Sequence, residues 1–472
     1  MTTHPVLMAS AAALLLSACA APPGRTALPA DHPAQVALDA HRALTAEHAP
    51  AAQAPTATPP AASDTEPARP LSADDAVRLA LRRSPALTAL VAQSEAQAAE
   101  ARAQARPGLL SLSLTRLRRG EASELERSLG IGLMDLFTWP WRSAAADRQI
   151  AAGQQALAVQ VLGHVQAVRQ QWVRAVAAQQ RQAYQGDVLT AAKTSAELAR
   201  RMQAAGHFSH AQAAQQAVGE VEAQLAHNQA RQAAQRERES LVRLIGLQGE
   251  EARALQLPDR LPTLPTQPAW TPDSLAEAAR ARRLDTRLAE ARWQASRSDG
   301  ESGALRSLVD IEGELQRNQA SGEPAQRGAG LQIRLASIDF GAARRQASRE
   351  TERAALARWQ QTTLVAESTL RERWSDYLAT LDTARQATEG LQPLRQRLLG
   401  ERLKQYNGML IGPFELLAEA RAHTGAVLTA LDAQREFWLA DAALNAAIDG
   451  LDTTPAALQA TPASGNTAEA GH

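Results

Sequence analysis

The stretch Tyr406–Arg421 reads Y-N-G-M-L-I-G-P-F-E-L-L-A-E-A-R and separates two long helical patterns. Gly408, Gly412 and Pro413 interrupt the helical pattern there. Glycine accepts the backbone angles of a tight reversal, and proline is tolerated in the first turn of a helix. The stretch therefore predicts the tip of a long antiparallel helical hairpin.

A second tip is predicted much earlier in the chain, in the sequence A-G-H-F-S that contains Gly206. Gly206 precedes Gly408 by 202 residues, and Trp172 precedes Trp374 by the same number. A shared offset without gaps over that distance indicates an internal duplication.

The composition argues against nucleic-acid binding and against catalysis. The 472 residues include 50 basic and 50 acidic side chains, whereas phosphate binding favours a basic surface. Aromatic residues make up only 3% of the chain, which is typical of long packed helices and not of a compact enzyme core. The sequence has no glycine-rich phosphate loop and no metal-ligand spacing of Cys and His. We therefore predict no enzyme activity, no cofactor and no metal site.

The N-terminus carries a short apolar run, Val6–Leu16, before the single cysteine, Cys19. The run is too short to span a bilayer and suits a secretory signal. The sequence L-S-A-C ending at Cys19 resembles the bacterial lipobox, which implies a signal peptide at 1–18 and acylation of Cys19. Ala20 then favours sorting to the outer membrane. A plain signal peptide that contains a cysteine is the alternative, and residues 19–70, rich in Ala and Pro, are predicted as a linker.

Residues 71–450 alternate between helical and strand patterns. Ser72 is a good N-cap for the first helix. Four later segments carry apolar residues at every second position, which predicts strands at about 109–117, 128–135, 307–315 and 330–338. The polar segments Arg118–Arg127 and Asn318–Gly328 are predicted as the loops that join the strands in pairs.

Two long helices follow the strand pairs. The first is predicted from about Arg142 to Ala205, with an apolar stripe at Val161, Val165, Val168, Trp172 and Val176. The second follows Asp339-Phe340-Gly341, with a stripe at Leu370, Trp374, Tyr377, Leu381, Ala384, Leu391 and Leu398. Pro393 is expected to kink it. Helices of this length are typical of coiled-coil-like hairpins.

The chain thus divides into two repeats, 71–250 and 271–450, joined by a connector at 251–270 and followed by a disordered tail at 451–472. Each repeat has a helix, two strands, a long helix, a tip (near 206 or 408–413) and a return helix. The fold class is mainly α with a small β part. Four strands cannot close a barrel, because small barrels need about eight, and open edges do not occur in lipid. The strands must therefore pair with those of other copies.

Residues 71–450 resemble the TolC-type outer-membrane efflux proteins. The resemblance rests on the order of several short motifs, namely the L-S-x-x-D-A opening at Leu71, the paired strands, the D-F-G step at Asp339, Pro393 upstream of Tyr406-x-Gly408, Leu416-Leu417-Ala418, and the helix ends at Gly246 and Gly450. It implies a homotrimer with a shared 12-stranded barrel in the lipid of the outer membrane. It also implies a helical tunnel in the periplasm, and partners that comprise an adaptor and an inner-membrane pump of the RND or related type. The sequence around Tyr406 most resembles that of the heavy-metal or copper branch of this family, which implies that the transported substrate is a metal ion.

The best candidates for partner contact are the tip residues. Leu410 and Ile411 would be costly to expose unless an adaptor or a neighbouring subunit buries them, although these residues could also serve only to turn the chain. The full set is Gly206, His207, Phe208, Ser209, Gly408, Met409, Leu410, Ile411, Gly412 and Pro413.

Four further groups of side chains are candidates for a role. Glu415 and Glu419, four residues apart on one helix face, form a possible gate ring under threefold symmetry, or simply a solvated face. His207 and His210, with Met202 and Met409 as possible neighbours, could bind a soft metal, but the pair spans a turn and lacks further obvious ligands, so no metal site is predicted. Asp310, Glu312 and Glu314 are expected to face a barrel lumen. Phe137, Trp139, Trp141 and Phe340 are expected to form the aromatic belt on the periplasmic side.

Two other functions stay open at this point. A periplasmic adaptor lipoprotein also has a helical hairpin, but it would have one hairpin flanked by compact β domains. A purely structural coiled-coil lipoprotein needs no strand pairs of membrane length.

Overall fold

The computed structural model describes residues 70–106, 111–119, 122–306, 309–320, 324–335 and 342–451. The signal peptide, Cys19, the linker as far as residue 69, Phe340 with its neighbours, and the tail after Leu451 lie outside the described residues. The chain forms two compact units. The strand unit comprises Ala89–Ala158 and Leu284–Val365, and the helix unit comprises residues 70–88, Val159–Arg283 and residues 366–451.

The order of elements repeats once along the chain. The first half contains α1 (Ala73–Arg83), α2 (Pro85–Ala105), β1 (Ser111–Arg119), β2 (Ala122–Gly132), α3 (Leu133–Ala204) and α4 (His210–Ile245). A short helix, α5 (Gly249–Ala254), opens the connector. The second half contains α6 (Pro272–Arg282), α7 (Leu284–Arg306), β3 (Val309–Ala320), β4 (Gln326–Leu335), α8 (Ala342–Arg385), a π-helical turn (Gln386–Leu391), α9 (Gln392–Asn407) and α10 (Pro413–Asp449). The predicted mainly α fold with four strands is confirmed.

The four strands form one antiparallel sheet in the order β1-β2-β3-β4. The two hairpins meet along β2 and β3, where Leu129 lies opposite Leu315. Among the described residues, β1 and β4 each pair along one edge only. Their outer edges therefore keep backbone donors and acceptors without a strand partner.

The strands extend further toward their hairpin connections than the sequence predicts. β2 begins at Ala122 and not near residue 128, and β3 continues to Ala320. Most of Arg118–Arg127 and part of Asn318–Gly328 are thus strand and not loop. Charged residues in these segments suggested loops, but a strand that is exposed on both faces of the single chain carries charge without burying it. At the other end, helix begins at Leu133, so the strand predicted to reach residue 135 ends at Gly132.

The apolar stripe predicted on the first long helix is buried. α3 has 72 residues, about 108 Å at the usual helical rise, and its Val161, Val168 and Val176 are at most 1% exposed. Trp172 is also buried, and its Nε1–H donates a hydrogen bond to the carbonyl oxygen of Leu71 at 2.8 Å. The stripe therefore also holds the segment that leads into α1.

The second long helix has a similar stripe in its first part only. Tyr377, Leu381 and Ala384 are buried, and Tyr377 packs on Phe437 of α10 with ring centroids 5.4 Å apart. Leu391 and Leu398, predicted on the same stripe, are exposed in the chain. The π-helical turn that begins at Gln386 and includes Leu391 widens the helical repeat, which rotates Leu391 and the side chains after it away from the stripe.

Pro393 explains the position of that π-helical turn. It lies in the first turn of α9, immediately after the turn. Proline has no N–H for the carbonyl four residues earlier, and its ring clashes with that carbonyl, so a wider turn accommodates it. The structure thus shows a π-helical turn before Pro393, and the predicted kink stays a prediction.

The connector is tied to the helix unit by backbone groups. The Trp438 Nε1–H donates to the Pro262 carbonyl oxygen at 3.1 Å, and the Tyr377 hydroxyl accepts from the Ala269 N–H at 3.3 Å.

Within the described residues, none of the helices combines the length and the apolarity that a membrane-spanning helix needs.

The junction of α1, α2 and the end of α4 depends on Gly246. This residue ends α4 with φ +87°, and a Cβ built on it would lie 2.6 Å from the Arg83 carbonyl oxygen and 2.8 Å from Pro85 Cδ. Both a left-handed backbone and a close approach thus favour glycine there. The nearby Gly249 also has positive φ (+57°) but has open space around it.

We predict that Gly246→Ala loosens this junction more than Gly249→Ala does. Both substitutions strain the backbone by about 1–2 kcal/mol, but only the first forces the α1–α2 junction away from α4. Hydrogen exchange, followed by mass spectrometry, should show at least about tenfold faster exchange in peptides around Arg83 for Gly246→Ala than for Gly249→Ala. Equal exchange in the two variants would contradict the close approach.

Candidate functional site

The first tip ends α3 in a Schellman motif. Gly206 has φ +80°, its N–H donates to the Gln203 carbonyl, and the His207 N–H donates to the Met202 carbonyl at 2.8 Å. Ser209 then caps α4, because its hydroxyl accepts from the Gln212 N–H while the Gln212 side chain accepts from the Ser209 N–H. The role of Gly206 as a turn residue is confirmed.

The second tip makes the same motif one residue later than the sequence offset predicts. The Met409 N–H donates to the Tyr406 carbonyl and the Leu410 N–H to the Gln405 carbonyl, both at 2.9 Å. Met409 has φ +58°, whereas Gly408 has φ −82°. The residue equivalent to Gly206 is therefore Met409, and the prediction that Gly408 supplies special backbone angles is wrong.

Gly412 and Pro413 begin the return helix. Gly412 is the N-cap of α10 with an extended backbone (φ −82°, ψ 164°), and Pro413 occupies the first helical position. The prediction for Pro413 is confirmed. Gly412, like Gly408, does not use the left-handed region, so neither glycine is required by its backbone angles.

An aromatic pair joins the two tips. The rings of Phe208 and Phe414 are stacked with centroids 5.6 Å apart and planes 30° apart, and both side chains are half-buried. Such pairs contribute about 0.5–1.5 kcal/mol beyond the area they bury. Sequence reasoning named Phe208 as a tip residue but missed its partner. The 206-residue separation of the two rings leaves no local signal for the pair.

The outermost side chains of the second tip are apolar and exposed. Met409 is 93% exposed and Leu410 is 78% exposed, whereas Ile411 is half-buried. At the first tip, His207 and His210 are exposed, and a His210 ring nitrogen, Nδ1, lies 2.8 Å from the Gln203 amide nitrogen. Gln203 therefore engages one of the two ring nitrogens of His210.

The two candidate gate carboxylates differ in their surroundings. The Glu415 residue is exposed. The Glu419 side chain is only 11% exposed and accepts a hydrogen bond from Arg395 of α9 at 3.2 Å. Glu419 thus joins the two arms of the second hairpin within one chain, and the gate role of both residues stays a prediction.

A charged network lies in the last turns of α3. Glu197 accepts hydrogen bonds from Arg200 and Arg201, and these bonds lower the pKa of its carboxyl group. Arg200 also lies 3.5 Å from Glu220 of α4, so the network links the two arms of the first hairpin. Because these groups are exposed, the network contributes little stability.

The sheet separates its side chains by chemistry. On one face, which we call the leucine face, Leu112 and Leu114 of β1, Leu315 of β3 and Leu331 of β4 are all more than half exposed. The register places Leu112, Leu129, Leu315 and Ala329 in a single row across the four strands. An apolar band without a protein partner in the single chain marks a surface that another molecule or a lipid covers.

The opposite face, which we call the carboxylate face, carries polar side chains and glycines. Glu124 and Glu126 of β2 and Glu314 of β3 alternate with the leucine-face residues of their strands. The side chains of Asp310 and Glu312 lie outside those described. Alternation of this kind is typical of a strand with lipid on one side and water on the other.

Aromatic side chains gather immediately after β2, at the start of α3. Phe137, Trp139 and Trp141 are each 45–57% exposed, and the rings of Phe137 and Trp141 lie 5.4 Å apart. Exposed aromatic side chains beside an apolar strand band are typical of a membrane interface. The belt role predicted for these three residues stays a prediction.

No family model matches this sequence, and no curated protein matches it significantly. Solved structures do match. The Campylobacter jejuni outer-membrane channel CmeC has a TM-score of 0.68 and 13% identity, with 80% of this chain and 86% of that chain covered. The Vibrio cholerae outer-membrane protein VceC has a TM-score of 0.64 and 15% identity, with 80% of this chain and 96% of that chain covered. CusC, whose structures concern folding and transmembrane channel formation, has a TM-score of 0.64 and 14% identity, with 85% of this chain and 99% of that chain covered. The chain therefore shares the fold of these channels.

We predict that Met409→Gly stabilises the second tip by about 0.5–1 kcal/mol. The left-handed conformation costs an L-residue about 1–2 kcal/mol, and the greater freedom of glycine in the unfolded chain offsets part of the gain. Exchange of the Leu410 amide hydrogen should slow by about twofold to fivefold. Gly408→Ala, whose Cβ would meet only ordinary contacts, should leave this exchange unchanged. Faster exchange of the Leu410 amide in Gly408→Ala would contradict this assignment and would show that Gly408 is the turn residue.

Proposed function

We propose that this chain, which has the fold of TolC-type outer-membrane efflux channels, is the outer-membrane exit duct of a tripartite efflux system. The observation that carries the proposal is the four-stranded sheet. It has leucines exposed on one face, carboxylates on the other, and open outer edges on β1 and β4. Such a sheet is incomplete in water and in lipid alike until other strands pair with it.

A homotrimer completes the sheet most simply. Pairing of β4 of one copy with β1 of the next would give twelve strands and leave no edge. Twelve lies within the range of strand numbers of outer-membrane barrels. The leucine faces would then contact lipid, and the carboxylate faces would line a water-filled lumen. The helical hairpins would continue the duct into the periplasm.

The paired tips are the proposed contact for a periplasmic adaptor, which in turn would reach an inner-membrane pump. Support comes from the exposed Met409 and Leu410, since apolar side chains of this size at a surface are stabilised by burial against a partner. The Phe208–Phe414 stack would hold both tips together as one surface. Glu415 and Glu419 remain the proposed gate residues beside it.

The carboxylates of the sheet support a preference for cations. Rings of acidic side chains in a channel favour cations, and threefold symmetry would convert each carboxylate into a ring. Transport of metal ions would be consistent with this preference, and the proposal of a metal-ion substrate rests on the sequence resemblance around Tyr406 alone. Acylation of Cys19 would add a lipid anchor to the duct.

Disulfide trapping tests the trimer. Ser113→Cys on β1 combined with Gly328→Cys or Gly330→Cys on β4 places both thiols on the carboxylate face, so oxidation should link neighbouring copies into a covalent trimer on a denaturing gel. Leu112→Cys with the same β4 cysteines is the matched control, because its thiol lies on the other face. The parent chain, with Cys19 alone, gives the background. A protein that stays monomeric in detergent and under oxidation would exclude the shared barrel.

Ion selectivity tests the lumen. In a planar bilayer with a tenfold KCl gradient, we expect a cation-selective reversal potential that moves toward zero in Glu126→Gln/Glu314→Gln. Arg127→Gln/Arg317→Gln changes two charges on the same two strands but on the leucine face, and should leave the potential unchanged. If the arginine variant shifts the potential more than the glutamate variant, the two faces have been assigned the wrong way round.

A further inference from the structure

The leucine face carries a row of arginines that the proposed duct does not use. Arg127 of β2 lies directly opposite Arg317 of β3, and Arg317 lies directly opposite Arg327 of β4. Neighbouring strands are about 4.8 Å apart, so the three side chains start within about 10 Å of one another. Leu114 completes the row on β1. We call Arg127, Arg317 and Arg327 the arginine row.

The arginine row has no counter-ion within the described part of the chain. All three residues are exposed, and no described carboxylate forms an ion pair with any of them. The carboxylates of β2 and β3, such as Glu126 and Glu314, lie on the other face of the sheet. Like charges directly opposite one another destabilise a sheet, so an anion from outside the chain would stabilise the row.

The position of the row along the strands identifies the kind of anion. The next row toward the helix-linked ends is the apolar row of Leu129, Leu315 and Ala329. Beyond the arginine row, toward the hairpin connections, Arg116 and Arg118 of β1 continue on the same face and are also exposed. Apart from Leu114 in the arginine row and Leu125 opposite Arg116, this face therefore changes from apolar to positively charged at the arginine row, on the side of the two hairpin connections.

We propose that the arginine row binds the phosphate groups of a phosphorylated lipid headgroup in the outer leaflet of the membrane. This proposal rests on the proposed function, because the hairpin connections point away from the periplasm only if the helices extend into it. Guanidinium groups bind phosphate through two parallel hydrogen bonds, and their stems lie along apolar surface while the charged group reaches the headgroup layer. Lipid is the occupant that the observations favour, since the row is continuous with a band that faces lipid.

Binding of lipid A, a glycolipid with two phosphate groups, tests the proposal. Native mass spectrometry or fluorescence titration in a neutral detergent should give a Kd for the parent protein that rises about 100-fold in Arg127→Gln/Arg317→Gln/Arg327→Gln, because each basic side chain at an anionic lipid surface contributes about fivefold. Arg317→Gln alone should raise it about fivefold, which keeps the test valid if the triple variant misfolds. Lipid A without its phosphates should bind the parent as weakly as the triple variant binds the complete lipid.

The matched control removes three arginines from the helices. Arg349, Arg371 and Arg397 are exposed on α8 and α9, and Arg349→Gln/Arg371→Gln/Arg397→Gln should leave the Kd for lipid A within twofold of the parent. Inorganic phosphate at millimolar concentration should not displace the lipid, and displacement would show a general anion site in place of a headgroup site. An unchanged Kd in the arginine-row triple variant would overturn the proposal.

Failure of this proposal is distinguishable from failure of the duct. A covalent trimer in the disulfide test with no dependence of lipid A binding on the arginine row would overturn the headgroup site alone. Row-dependent binding by a protein that never forms the trimer would overturn the duct and leave a lipid-binding sheet.

Discussion

The open edges of the sheet are the constraint on which the rest of the structure depends. Every N–H and C=O group along the outer edges of β1 and β4 needs a hydrogen-bond partner, and the described chain supplies none. Lipid supplies none either. The proposed closure by identical copies would meet this demand, and it would also explain why the leucine face is exposed in the single chain.

The helix unit solves a different problem, which is to keep very long helices in register. Buried stripes along α3 and on the second half of α8 do this. Specific contacts then join the two repeats. Arg181 of α3 forms a two-bonded ion pair with Asp432 of α10, with N–O distances of 2.7 and 2.8 Å, and Phe208 stacks on Phe414 at the tips. Each contact connects residues more than 200 positions apart, so the duplication is held together by contacts between its copies.

Charge on the sheet follows the alternation of the strands. Glu126 and Arg127 are neighbours in sequence, yet they lie on opposite faces because successive side chains of a strand point in opposite directions. The chain as a whole has no net charge, but the carboxylate face and the arginine row present opposite charges to different surroundings. Overall composition thus conceals a separation of charge on which the proposed cation preference and the proposed lipid binding both depend.

The sequence by itself determined the order of elements, the helix start at Ser72, the buried stripe on α3 and the ends of the return helices at Gly246 and Gly450. These depend on local periodicity and on capping chemistry, which short stretches encode. Only the tertiary structure decided the strand lengths, the left-handed conformation of Met409 in place of Gly408, the exposure of Leu391 and Leu398 at and beyond the π-helical turn, and the alignment of Arg127, Arg317 and Arg327. The reason is that the register of the strands, and the residue at which a helical hairpin turns, depend on packing partners that are distant along the chain.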